Sequence, residues 1–219
     1  QVGAAMFISG SLVICLLALL FALPVSLAAA IYMTEIASPS SRRHVQPFIE
    51  LFTGIPSVIY GWIGLTVLIP FLRKFFTMPF GFSVLSASLV LATMIFPVIT
   101  MMASDAMMAV PKSLRDATRW ETIRTVVLPS ARTGIFTGIV LGLARALGEA
   151  LAVAMVVGQM KVFPTSLFLP ATAMTTVIAS DMGSAMEGGE YNAALWTLAL
   201  LLFVISFILI FIIHHVGKK

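Results

Sequence analysis

Five apolar runs, at roughly 6–34, 48–72, 84–108, 133–158 and 191–213, decide what this chain can become. Each is long enough to cross the hydrocarbon core of a bilayer as a helix, which takes about 20 residues. In lipid every backbone N–H and C=O must be satisfied within the protein, so a crossing segment is a helix or a strand of a closed barrel. The strict polar–apolar alternation of a barrel strand is absent. The expected fold class is therefore an all-α membrane protein with about five transmembrane helices. Composition agrees: 60% of the 219 residues are hydrophobic and only 10% are charged, against about 25% charged in soluble domains.

The first run contains Ala28-Ala29-Ala30, which resembles the cleavage site of a secretory leader. It lacks a basic flank and its apolar part exceeds that of a leader, so a retained span is expected. The chain starts at Gln1 without a methionine, which suggests that something precedes it. Cys15, the single cysteine, has no partner for an internal disulfide and reads as a small hydrophobe facing a helix or lipid.

The cations orient the spans. Arg42 and Arg43, then Lys112, Arg115, Arg119, Arg124 and Arg132, then Lys218 and Lys219 fall in alternate connections, whereas the opposite ones hold only Arg73, Lys74 and Lys161. The positive-inside rule places 35–47, 105–132 and the C-terminus in the cytoplasm and the N-terminus outside. The net charge of +4 follows from this bias and is no argument for nucleic acid.

Arg145 is the one cation left inside a span, four residues from Glu149, and residues 134–157 hold no other charge. Each ionisable group near the membrane centre costs roughly 2.5–3.5 kcal/mol on insertion scales. On one continuous helix the i, i+4 spacing puts the two side chains on a common face where they neutralise each other. That face either lines a polar path or carries a structural ion pair.

Pro24, Pro56 and Pro97 interrupt three of the runs. The densest interruption is Thr53-Gly54-Ile55-Pro56-Ser57, just after Glu50. It is either a packing kink with Gly54, Gly61 and Gly64 at helix contacts, or a bent helix whose Thr53 and Ser57 hydroxyls face a translocation path. The external segment 159–190 has a middle, Ala171 to Ile178, that is apolar but too short to span. It reads as a re-entrant or interfacial helix, either a docking surface for an external partner or a lid on the bundle. The cytoplasmic loop 105–132 reads as short amphipathic helices with Trp120 exposed among basic residues, closed by a proline stop at Pro129 before the next span. These helices either dock a partner or lie on the lipid headgroups.

No catalytic constellation emerges. His44, His214 and His215 lack metal-ligand spacing with any Cys, Asp or Glu, and neither a Walker A loop nor a Gly-x-Ser-x-Gly elbow is present. The chain reads as a non-enzyme without a metal.

Several of these stretches together suggest a family. Asp105-Ala106 through Val110-Pro111-Lys112-Ser113-Leu114-Arg115, with Ala117-Thr118-Arg119-Trp120-Glu121-Thr122-Ile123 and Val127-Leu128-Pro129, resembles the EAA coupling loop of ABC importer permeases. Ile49-Glu50-Leu51 with Gly54-Ile55-Pro56-Ser57-Val58-Ile59-Tyr60-Gly61, and Arg145-Ala146-Leu147-Gly148-Glu149-Ala150 with Ala152-Val153, resemble the phosphate-specific subfamily, PstC-type rather than PstA-type. The resemblance covers nearly the whole chain. It implies a type I ABC importer permease core in a prokaryotic cell membrane and a transmembrane subunit of an ATP-driven phosphate importer. It also implies a PstA-type second permease, two ATP-binding subunits carrying ATP and Mg, and an external phosphate-binding protein, with membrane lipid around the bundle. No cofactor is expected on this chain.

By the same resemblance Arg145 and Glu149 are linked to phosphate passage; elementary electrostatics adds the expectation that Glu149 holds and neutralises Arg145 when no anion is present. Arg115, Asp116, Ala117, Arg119, Trp120 and Glu121 are linked to ATPase coupling. The chain departs from the family in two ways. A further span ordinarily precedes the equivalent of Gln1, and the coupling loop is shorter by about one and a half turns and lacks its glycine. The loop is either shortened in fact or missing residues here. Two other readings stay open: a permease for another oxyanion such as sulfate or molybdate, and a membrane sensor or anchor that moves nothing.

Overall fold

The computed structural model describes residues 3–111 and 119–216. Five helical stretches in it are long and apolar enough to cross a membrane: Ala4–Ile36, Ser57–Phe75, Val84–Met108, Trp120–Gly148 and Glu190–Ile212. Their number and order agree with the sequence, and among the described residues the only extended pairing is a single bridge between Gly158 and Ala171.

Two spans differ in their boundaries from expectation. The second span starts at Ser57 rather than at 48, because Ile55 and Pro56 are both extended; a proline pushes its predecessor out of the α region. The preceding helix α2 (Pro39–Gly54) is a separate amphipathic element, started by Ser38 accepting from Ser41 N at 3.2 Å with Pro39 in its first turn. The fourth span starts at Trp120 and ends at Gly148, not at 133 and 158.

Pro129 does not stop the helix as expected. It sits in the first turn of α7 (Leu128–Gly148), directly after a π turn at Ile123–Val127 that continues α6 (Arg119–Thr122). A second π turn, Gly64–Leu68, joins α3 (Ser57–Ile63) to α4 (Ile69–Phe75) and stands in the same relation to Pro70. The wider i→i+5 turn lets the chain pass a residue with no N–H to give while remaining one rod. Pro24 and Pro97 likewise lie within unbroken helices, α1 (Ala4–Ile31) and α5 (Val84–Met108).

α5 is the central helix: 72% of its spanning window is buried, against 11–28% for the other four. α1 contributes Ile14, Cys15, Ala18 and Ala22 to the core around it, so Cys15 faces helices. α7 lays Gly134, Gly138 and Gly142 against α5. A β-carbon at Gly138 would stand 2.9 Å from that of Met102, and one at Gly142 would stand 3.1 Å from Ile99. Small residues at a four-residue interval let two membrane helices approach backbone to backbone.

The segment after α8 (Leu151–Val157) turns back over one end of the bundle. It starts at Gly158, whose φ of +85° and contact with Pro170 and Phe82 leave no place for a side chain. Its carbonyls satisfy the first turn of α5, with Val84 N donating to Leu169 O at 3.1 Å and Leu85 N to Leu167 O at 2.9 Å. These are donors that a helix start leaves without intrahelical partners. The segment then enters α9 (Met174–Asp181), whose Met174, Thr175, Thr176 and Val177 are buried. Met174 N donates to Ser11 Oγ of α1 at 2.8 Å.

At the far end of α9, Asp181 receives hydrogen bonds from Lys161 Nζ (2.6 Å), Ser180 Oγ (2.7 Å) and the Tyr191 hydroxyl at the start of α10 (Glu190–Val216). Burial raises the Asp181 pKa, but these donors prevail and hold it at about 2, while the same contacts raise that of Lys161.

Two expectations follow. Gly138→Leu will overpack the α5–α7 contact and cost about 1–3 kcal/mol, read as a lower midpoint of thermal unfolding in detergent; Gly54→Ala, with nothing within 4 Å of the new atom, will leave it unchanged. The Asp181 cluster will stabilise segment 159–181 above the ordinary carboxylate pKa of 3.8. That contribution will fade as pH falls towards about 2. Hydrogen exchange of residues 159–181 will show this acid loosening in the parent and not in Asp181→Asn.

Candidate substrate path at two helix breaks

Helix α7 ends at Gly148, and Glu149 beyond it is extended (φ −76°, ψ 122°). Arg145 therefore lies in the last turn of α7 while Glu149 lies outside that helix. The common face that the i, i+4 spacing predicts does not form. Instead Glu149 Oε1 accepts from Ala152 N at 3.1 Å, and Glu149 O accepts from the Thr175 hydroxyl at 2.8 Å. The carboxylate caps the start of α8, as an acidic side chain does at a helix N-terminus, and the carbonyl ties the break to α9. A glycine followed at once by an acid is a stop-then-cap pattern, and it was present in the sequence.

Arg145 is half-buried and makes no hydrogen bond or ion pair among the described residues. Its position at the C-terminal end of α7 gives it the favourable end of the helix dipole. Its neighbours Ala146 and Leu147 share the core cluster that holds Tyr60 of α3. Tyr60 is buried, and its hydroxyl donates to Phe52 O at 2.6 Å, bridging the break at Ile55–Pro56. Tyr60 was not singled out from the sequence. The signal was an amphipathic aromatic within four residues of a proline break, since a buried phenol needs a partner and the break supplies a free carbonyl.

The two breaks are neighbours. α3 and α8, each starting just after one, pack through Gly61, where a β-carbon would stand 2.9 Å from Ala152 Cα and 2.7 Å from the Met155 sulfur. Gly64 meets Val90 and Val156 in the same way, whereas Gly54 touches nothing and is not a helix contact. Ser57 is half-buried, one turn before Tyr60 on α3, and its hydroxyl has no partner among the described residues. Thr53 lies across the break on α2 and spends its hydroxyl on Glu50 O at 2.7 Å. The structure thus brings Arg145, Tyr60, Glu149 and the start of α3 to one region, and leaves Thr53 turned to its own helix.

At the other end of the fourth span, Trp120 is 70% exposed while Thr122, Ile123 and Val127 are buried. Glu121 and Arg124 face outward, which makes this turn amphipathic. Arg119 opens α6. Arg115, Asp116 and Ala117 lie outside the described residues. No group of three or more His, Cys, Asp or Glu gathers among the described residues.

If Glu149 works as a cap, Glu149→Gln will retain near-parental stability, because an amide oxygen also accepts from Ala152 N. Glu149→Ala will lose about 1 kcal/mol, read by thermal unfolding. Equal losses in both would show that the charge, not the cap, matters.

The chain resembles known proteins along nearly its whole length. The family described as binding-protein-dependent transport system inner membrane component matches residues 22–219. The probable ABC transporter permease protein YqgH of Bacillus subtilis (strain 168) is 46% identical over 223 residues, covering 99% of this chain and 72% of the relative. The phosphate transport system permease protein PstC of Mesorhizobium japonicum is 37% identical, with 97% and 72% covered. That of Haemophilus influenzae is 36% identical, with 94% and 73% covered. The expected likeness to PstC-type permeases is borne out.

Among solved structures, an inward-facing MetNI methionine ABC transporter matches with a TM-score of 0.69 at 20% identity, covering 94% of this chain and 93% of its own. A bacterial alginate ABC transporter matches with a TM-score of 0.67 at 19% identity, covering 98% and 78%. These two share the fold. By its spans, fold and relatives, the chain belongs to the binding-protein-dependent transport system inner membrane components, as a multi-pass permease of the ABC importer fold.

Proposed function

We propose that this chain is a transmembrane subunit of an ATP-driven phosphate importer and that Arg145 meets the anion in transit. The observation that carries the reading is the cation itself: a half-buried guanidinium in a spanning helix with no carboxylate on it among the described residues. A charge within a spanning helix marks a functional path by default, and here a passing anion completes it. A guanidinium takes two phosphate oxygens at once through paired, charge-assisted hydrogen bonds. The PstC relatives favour phosphate among the oxyanions.

The fold of this family works as an assembly. We infer a PstA-type partner permease, two ATP-binding subunits in the cytoplasm and an external phosphate-binding protein. Trp120–Gly148 is a helical rod of 29 residues, about 43 Å long, with exposed Trp120 at one end and Arg145 at the other. A partner ATPase that grips Trp120, Glu121 and the preceding loop therefore moves the arginine without any flexible joint. Alternating access follows from that displacement, and the chain itself hydrolyses nothing.

ATP-dependent phosphate uptake into vesicles bearing the complete complex tests this. Arg145→Ala will lower uptake by roughly 10–100-fold, the worth of a charge-assisted hydrogen bond, with assembly intact. Arg145→Lys will recover part of it, and Glu149→Gln will remain close to the parent. Trp120→Ala will leave assembly in the membrane intact and lower ATP-dependent uptake. Uptake unchanged in Arg145→Ala contradicts the reading, and uptake of sulfate in place of phosphate reassigns the cargo.

A further inference from the structure

Three cations stand on the outer side of the bundle by the charge asymmetry, and they are not alike. Lys161 is committed to Asp181. Arg73 and Lys74 are exposed and adjacent, and their side chains make no ion pair or hydrogen bond among the described residues. They occupy the last turn of α4, where the second span ends at Phe75. At this depth a spanning helix passes the lipid headgroups. Beside them runs an open groove of about 700 Å³, floored by Leu65, Ile69, Pro70 and Phe82, with no acidic residue in its lining.

The turn that closes the groove is strained. Thr77, a β-branched residue, has φ +53°, a region such side chains rarely adopt. It is held there by Phe76 N donating to Leu72 O (2.9 Å) and Met78 N to Arg73 O (3.0 Å). Strain of this kind gathers at ligand clamps, and here it keeps the Thr77 side chain on the groove beside the two cations. Phe71, Phe75 and Phe80 are exposed around them, an aromatic girdle of the sort found where a span meets the interface.

We propose that the outer end of α4 is a binding site for an anionic phospholipid. Arg73 and Lys74 take the phosphodiester, and the apolar groove takes the first carbons of an acyl chain. The pairing of the two surfaces decides the occupant: free phosphate has no use for the apolar floor, and a zwitterionic lipid brings its own cation against the two basic side chains. The site is independent of what the permease transports.

Native mass spectrometry of the complete complex tests it, after equilibration with equal amounts of phosphatidylglycerol and phosphatidylcholine. The parent will retain phosphatidylglycerol over phosphatidylcholine by about tenfold, in keeping with two basic groups at a membrane surface. Arg73→Gln/Lys74→Gln, both exposed and therefore harmless to folding, will retain the two lipids about equally. Equal retention in the parent, or an undiminished preference in the double variant, overturns the proposal. So does a preference abolished by excess inorganic phosphate, which would assign the cations to a free anion.

Discussion

A helix in hydrocarbon cannot stop without handing its backbone groups to other partners, and this bundle is organised by how it meets that demand at two places. At Ile55–Pro56 the Tyr60 hydroxyl takes up Phe52 O. At Glu149–Ala150 the glutamate carboxylate takes Ala152 N, and Thr175 takes the glutamate carbonyl. Both repairs use side chains adjacent in sequence or space to the break. Both breaks come together because Gly61 lets α3 settle on α8. The consequence for function is indirect but firm: once Glu149 is spent on the backbone, Arg145 is left as a cation in a spanning helix without its nearest carboxylate.

Elsewhere the chain avoids breaking. Proline residues at 24 and 97 are absorbed within α1 and α5, and those at 70 and 129 follow π turns that keep the rod continuous. The contrast sorts rigid from jointed parts of the molecule. The fourth span is one lever from the exposed Trp120 to Arg145, steadied along its length by the glycine stripe against α5. The segment after α8 closes over the end of α5 with carbonyls that accept from that helix's first turn, so it is part of the bundle's hydrogen bonding and not a loose connection.

Much of this was legible in the sequence. The number and order of the spans follow from hydrophobic length alone, and the proline at 56 correctly marked a break. Other points were not legible, for identifiable reasons. The i, i+4 spacing of Arg145 and Glu149 implies a shared face only if the helix continues, and Gly148 followed by an acid ends it. Pro129 looked like a stop because a π turn has no sequence signature of its own. Gly134, Gly138 and Gly142 stand at a regular interval that signals close helix packing, but the interval does not say which helix they meet. Tyr60 lay within a recognised motif, but its task, closing a break, depends on where the Phe52 carbonyl ends up in space.

The central claim is that Arg145 and Glu149 are neighbours in sequence with separate tasks. The most direct test is a double-mutant cycle of Arg145→Gln and Glu149→Gln, read as the unfolding free energy of the assembled complex. Independent roles predict a coupling within about 0.5 kcal/mol of zero. A coupling well above about 1 kcal/mol would restore the ion pair and remove the ground for an arginine left open to an anion.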